Sequence, residues 1–130
     1  ELVQRFPNYI SKIKVIPMGV DINLFKKRKI KKPRKYSKNK ILLFVGKLSD
    51  QKGLQYLIDS IPDIIKYDSK VKLLIIGEGS YEKILQDKTL NNEIEKHVEF
   101  LGSMSAAKIA KYYNFADIFV MPSLSNKQAT

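Results

Sequence analysis

Four short apolar runs punctuate the sequence, and three of them end in glycine: ILLFVG (41–46), VKLLIIG (71–77), VEFLG (98–102) and DIFVMP (117–122). Each is too short for an ordinary helix and too continuously apolar for a strand with one wet face. Such runs read as strands buried on both sides. The stretches between them read as helices. In 51–67, Leu54, Leu57, Ile58, Ile61, Ile64 and Ile65 fall on one apolar stripe. Pro62 interrupts that stripe and predicts a kink or a split. EGSYEKIL (78–85) opens a second helix with Ser80 as its cap, and Ser105 caps a third whose apolar face is Ile109, Tyr112, Tyr113 and Ala116. At least one of the two tyrosines is expected in the core. IKVIP (13–17) predicts a further short strand closed by Pro17 and Gly19. Strand and helix alternate, so the predicted fold class is α/β: a Rossmann-like parallel sheet with helices on both faces and right-handed crossovers.

A chain of 130 residues, 44% hydrophobic and 28% charged, is enough for one globular domain with a core. Its apolar runs are too short to span a bilayer, and no secretory signal is expected from ELVQRFPNYISK. The absence of cysteine excludes a disulfide scaffold or thiolate metal site and fits a reducing cytoplasm.

The net charge of +11 is local. Residues 26–40, KKRKIKKPRKYSKNK, hold ten Lys or Arg and no acid, while the remainder holds fourteen bases against thirteen acids. The segment is therefore expected to be a solvated connector, extended by its own repulsion. Docking on anionic lipid or a diphosphate-lipid acceptor is the second reading. Nucleic acid is disfavoured, because no recognition motif accompanies the run.

Ligands of open α/β sheets collect outside the carboxyl ends of the strands. Those ends read Gly46-Lys47-Leu48, Gly77-Glu78-Gly79-Ser80, Leu101-Gly102-Ser103-Met104 and Pro122-Ser123-Leu124-Ser125. The strand-end glycines would let backbone approach a ligand closely. Lys47 leaves the first buried strand, and Lys52 precedes Gly53 and the next helix. Two ammoniums beside a helix N-terminus suit a diphosphate, although on spacing alone solvated surface lysines are the favoured account. Glu78 is open between a structural role and ligand contact. GEGS is neither GxGxxG nor a P-loop, which weighs against dinucleotide and ATP-phosphate binding. His97 reads as a surface residue, and no His, Asp and Glu cluster has metal-ligand spacing.

Taken in order, VIPMGVDINLF, ILLFVGKLSDQKGLQYLIDSI, VKLLIIGEGSYEKIL and VEFLGSMSAAKIAKYYNFADIFVMPSLS resemble the C-terminal domain of retaining GT-B glycosyltransferases of family 4, from about Val15 to Ser125. The resemblance implies an incomplete C-terminal half of a GT-B fold. Residues 1–12 would end the N-terminal domain or linker, and 13–130 would form a truncated nucleotide-sugar-binding domain with a basic connector at 26–40. Lys47 and Lys52 would contact the donor diphosphate, within a site comprising Gly46, Gly53, Gly77, Glu78 and Gly79. Leu101, Gly102, Ser103 and Met104 would hold the nucleobase through backbone groups. Met18 stands where the family's PNGVD has asparagine. The family's first glutamate past the PSLS-like turn falls at Asn126 or, preferably, at Gln128, so an amide replaces a carboxylate.

The implied activity is transfer of a hexose from a nucleotide-diphosphate sugar to a glycan or lipid-linked acceptor. No metal or other cofactor and no nucleic acid are expected. The implied location is the cytoplasm, with contact to the cytoplasmic membrane face through 26–40. The 130 residues alone are expected to be inactive. The rivals are a non-catalytic nucleotide-binding module and a related epimerase or phosphorylase.

Overall fold

The structure, a computed structural model, describes residues 2–124. A single helical turn α1 (Leu2–Arg5) and a 3-10 turn (Pro7–Lys12) lead into irregular chain. The strand expected over 13–17 does not form. Val15 and Ile16 are 85% and 78% exposed, so no neighbouring strand or apolar face rewards extension there.

Beyond the basic segment come β1 (Lys40–Val45), α2 (Leu54–Tyr67), β2 (Val71–Ile76), α3 (Glu82–Asn91), β3 (Val98–Phe100), α4 (Ala106–Phe115) and β4 (Ile118–Phe119). The strands form one parallel sheet in the order β3-β2-β1-β4. The register of its centre runs from Lys40↔Val71 to Val45↔Ile76. β4 adds only Leu42↔Ile118 and Leu43↔Phe119.

The continuous apolar strands have a direct cause. Leu42, Phe44, Leu73 and Ile75 face one core with Leu54, Ile58 and Ile61 of α2 and Leu85 of α3. Their neighbours Ile41, Leu43, Leu74 and Ile76 face a second core with Phe115 of α4 and Tyr36. Side chains alternate across a strand, so a strand covered on both sides is apolar at every position.

Pro62 does not split α2, which is continuous for 14 residues. The residues on either side of it, Leu57, Ile58 and Ile61 before and Ile64 and Ile65 after, pack against the same core. That shared burial outweighs the one backbone hydrogen bond a proline removes. Ser80 does not cap α3; the helix starts at Glu82, Tyr81 takes the cap position and no side chain bonds there. Ser105 occupies the cap position of α4 with extended backbone, again without a side-chain bond.

The basic segment is mostly exposed, and it is tied to the fold at Lys32, Lys35 and Tyr36. Tyr36 is 1% exposed and stacks on Phe115, with ring centroids 5.9 Å apart. Its hydroxyl donates to Glu99 (3.0 Å), which also pairs with Lys35 (2.8 Å). Lys32 pairs with Asp117 (2.6 Å). An apolar ring and two acids from β3 and the start of β4 thus offset part of the segment's self-repulsion.

Candidate functional site

Three strand-end loops are laced together at the carboxyl edge of the sheet. Gly46 N–H donates to the Ile76 carbonyl (3.0 Å), Leu48 N–H to the Glu78 carbonyl (3.0 Å) and Gly77 N–H to the Gly102 carbonyl (2.9 Å). Two glycines permit this lacing. A Cβ on Gly77 would collide with the Gly46 carbonyl, and one on Gly79 with the Leu48 carbonyl. Gly77 also has φ of +142°, a region that side chains rarely adopt. These glycines make room for a neighbouring loop, where the sequence suggested room for a ligand. Gly102 differs: its φ is +67° and the space beside it is open.

The laced loops wall a cavity of about 470 Å³. Gly46 and Lys47 from the first loop, Gly77, Glu78 and Gly79 from the second, and Ser103 and Met104 from the third all line it. Val45, Ile76 and Ile109 complete its wall. The sequence pattern places Ile109 only on the apolar face of a helix. Its place in the wall follows from the packing of α4, which no local pattern records. Lys47 and Glu78 are exposed at the rim.

Among the described residues, four of the predicted site residues lie outside this lining. Lys52 ends a 3-10 turn (Asp50–Lys52), and Gly53 follows with left-handed backbone at φ of +66°. A Cβ on Gly53 would strike the Pro122 carbonyl, while Leu124 N–H donates to the Gln51 carbonyl (2.9 Å). Lys52 and the start of α2 therefore sit beside the loop leaving β4. Leu101 packs in the second core, and Gly102 closes the lacing through its carbonyl. Asn126 and Gln128 lie outside the described residues.

The cations divide by partner. Among the described residues, neither Lys47 nor Lys52 forms an ion pair. Far from the crevice, Asp117 accepts from Lys32 Nζ (2.6 Å) and from Ile41 N–H (2.7 Å). Burial alone would raise the Asp117 carboxyl, but the Ile41 N–H and the Lys32 ammonium outweigh it and hold it below the usual range. Burial likewise opposes ionisation of Glu99, and its bonds to Lys35 and Tyr36, with the nearby Lys72, win. The Lys35 ammonium is raised in turn, chiefly by its bond to Glu99. His97 is half-buried, and its Nδ1–H donates to the Val71 carbonyl (2.8 Å), a structural tie between β2 and the turn before β3. Among the described residues no cluster of three or more His, Cys, Asp or Glu could hold a metal ion. No helix among them is long and apolar enough to cross a membrane.

A parallel sheet covered on both faces, with its cavity outside the carboxyl ends of the strands, defines a Rossmann-like α/β domain. More narrowly, the chain belongs to the Glycosyl transferases group 1 family, whose profile matches residues 25–129. It is 32% identical over 124 residues to the alpha-monoglucosyldiacylglycerol synthase of Streptococcus pneumoniae, covering 88% of this chain and 28% of that protein. An uncharacterized glycosyltransferase of Methanocaldococcus jannaschii is 36% identical over 132 residues, covering 95% and 34%. Among solved structures, Anabaena HepE in complex with UDP and glucose superimposes with a TM-score of 0.70 at 26% identity, over 85% of this chain and 31% of HepE. The sheet is that of a GT-B glycosyltransferase. The chain spans about a third of the length of the curated relatives it matches. The family is one of glycosyltransferases, which corrects the epimerase and phosphorylase alternatives.

Proposed function

We propose that this chain is the donor-binding part of a retaining glycosyltransferase, which moves a hexose from a nucleotide-diphosphate sugar to a glycan or lipid-linked acceptor. One observation carries the reading: Lys47, without an acidic partner among the described residues, rims a crevice walled by three glycine-bearing strand-end loops. As the bond between sugar and diphosphate breaks, negative charge grows on the leaving phosphate. A preorganised cation at that point lowers the barrier. Lys52, five residues on and just before α2, supplies a second cation. Gly102, Ser103 and Met104 would offer backbone groups to the base, and Glu78, exposed on the rim of the same cavity, would accept from a donor hydroxyl.

The relatives support this reading. HepE was solved with UDP and glucose, and the pneumococcal relative is named for a glucosyl-diacylglycerol product. A phosphatidyl-myo-inositol mannosyltransferase of Mycobacterium tuberculosis, 30% identical over 111 residues, also bears a lipid acceptor in its name. We assign 1–12 to a linker or the end of a preceding domain, and 13–130 to the donor domain. A cytoplasmic enzyme, touching the membrane face through 26–40, fits the lipid acceptor and the absence of cysteine. Transfer needs donor and acceptor held together. The 130 residues by themselves therefore bind donor weakly and transfer nothing.

A thermal-shift panel of UDP-, GDP- and ADP-sugars tests the donor site. A ligand at 100 times its Kd stabilises by about 2.7 kcal/mol. One nucleotide sugar is expected to raise the Tm of the wild type and to lose that effect in Lys47→Ala. A panel without response, or an unchanged response in the variant, defeats the assignment.

A further inference from the structure

A second cavity, of about 780 Å³, lies between residues 20–28 and α4. It shares Val45 and Ile109 with the donor crevice, so the two adjoin through one apolar wall. Its size is that of a small-molecule pocket. Phe25 and Tyr113 meet edge to face across it, with ring centroids 6.1 Å apart. Lys26, Lys27 and Arg28 supply its charge, and among the described residues no acid lines it.

The backbone that carries those three cations is tied to α4. Asn114 on α4 reads the segment's backbone as a neighbouring strand would. Its side-chain nitrogen donates to the Lys26 carbonyl (3.2 Å), and its oxygen accepts from Arg28 N–H. The Arg28 guanidinium donates to the Asn23 carbonyl (3.0 Å). Among the described residues none of the three enters an ion pair, whereas Lys32 and Lys35 further along are consumed by Asp117 and Glu99. An apolar hollow edged by three unneutralised, backbone-pinned cations complements a molecule with an anionic head and an apolar tail.

We infer that this groove seats a phosphate-headed lipid, with the phosphate on Lys26, Lys27 and Arg28 and the chain over Phe25, Ala110 and Tyr113. The inference rests on the proposed transferase reading only for its meaning: a lipid held here would lie one apolar wall from the donor. The binding itself is independent of that reading.

The test uses dodecyl phosphate below its micelle concentration, titrated calorimetrically into the protein, with inorganic phosphate and the uncharged dodecyl maltoside as the two halves of the recognition. Dodecyl phosphate is expected to bind at least tenfold more tightly than either. Shortening the chain to decyl is expected to weaken binding by roughly two- to fourfold per methylene, up to the 0.8 kcal/mol that a fully buried methylene contributes. The double variant Lys26→Gln/Lys27→Gln, both exposed, is expected to lose at least tenfold in dodecyl phosphate affinity with an unchanged Tm. Tyr113→Asp is expected to lose the chain-length dependence; should it misfold, the lysine variant stands alone. Equal affinity for charged and uncharged amphiphiles, a chain-length series without slope, or no effect of the lysine variant overturns the assignment and leaves the groove as an apolar seat for protein. Nucleotide-sugar binding, measured on the same samples, separates the two sites: Lys47→Ala should affect only the donor, and Lys26→Gln/Lys27→Gln only the amphiphile.

Discussion

The two edges of the sheet use lysine in opposite ways. At the amino edge and over β3, Lys32 and Lys35 meet Asp117 and Glu99 at 2.6 and 2.8 Å, and each acid also takes a hydrogen bond from the backbone or from Tyr36. At the carboxyl edge, Lys47 stands on a cavity rim with no such partner among the described residues. The paired cations hold a basic segment onto the fold. On the proposed reading, Lys47 keeps its charge for the diphosphate of a donor. Which lysines find an acidic partner is set by the fold and cannot be read from composition.

The largest expected effect breaks the carboxyl edge outright. Gly77→Ala adds a Cβ against the Gly46 carbonyl at a φ of +142°. Overpacking and backbone strain together should cost roughly 2–5 kcal/mol, read as a fall in the urea midpoint. Gly102→Ala, with open space at its Cβ, should lose only about 1–2 kcal/mol for its left-handed backbone. If the two variants are equally stable, loop lacing is not what Gly77 serves.

The next effect sets Lys47 against Lys32. A charge-assisted bond to phosphate contributes roughly 1.5–3 kcal/mol, so Lys47→Ala should weaken nucleotide-sugar binding about 10- to 150-fold and leave Tm in place. Lys32→Ala should do the reverse, costing about 1 kcal/mol of stability with donor affinity retained. A Lys32 variant that loses donor binding without unfolding would erase the distinction between the edges.

Asp117→Ala sharpens the amino-edge half, since it leaves Ile41 N–H and Lys32 without their acceptor. A loss of about 1–3 kcal/mol is expected in chemical denaturation. The smallest effect is with pH. Asp117 and Glu99 are both lower in the folded chain than their usual values. Their contribution is complete above the ordinary carboxylate range and is lost as pH falls through the folded-state values. Stability should therefore decline below about pH 4, and less steeply in Asp117→Asn. A stability profile with the same acid slope in wild type and variant would remove Asp117 from the account.

Much of the fold was legible because burial imposes periodicity on sequence. ILLFVG and VKLLIIG are apolar at nearly every position because both faces are covered, and the stripe from Leu54 to Ile65 marks the one covered face of α2. The motif order also pointed to the family that residues 25–129 match. Local signals failed where tertiary contacts outweighed them. Pro62 sits within a continuous helix because the apolar stripe on both sides of it is buried. The strand expected at 13–17 has no surface to pair with, and Ser80 caps nothing.

The candidate site divides along the same line. Sequence by itself determined the parallel α/β fold, the glycines at the strand ends and the presence of Lys47 beside them, because each follows from residues adjacent in the chain. Tertiary structure alone decided that Gly77 and Gly79 yield to neighbouring loops, that Lys52 stands by Pro122 outside the cavity lining, and that Asn114 pins a segment 86 residues earlier beside a second cavity. Those outcomes depend on which distant groups arrive within a few ångströms of one another. That is fixed by the packing of whole elements, and no local pattern of residues encodes it.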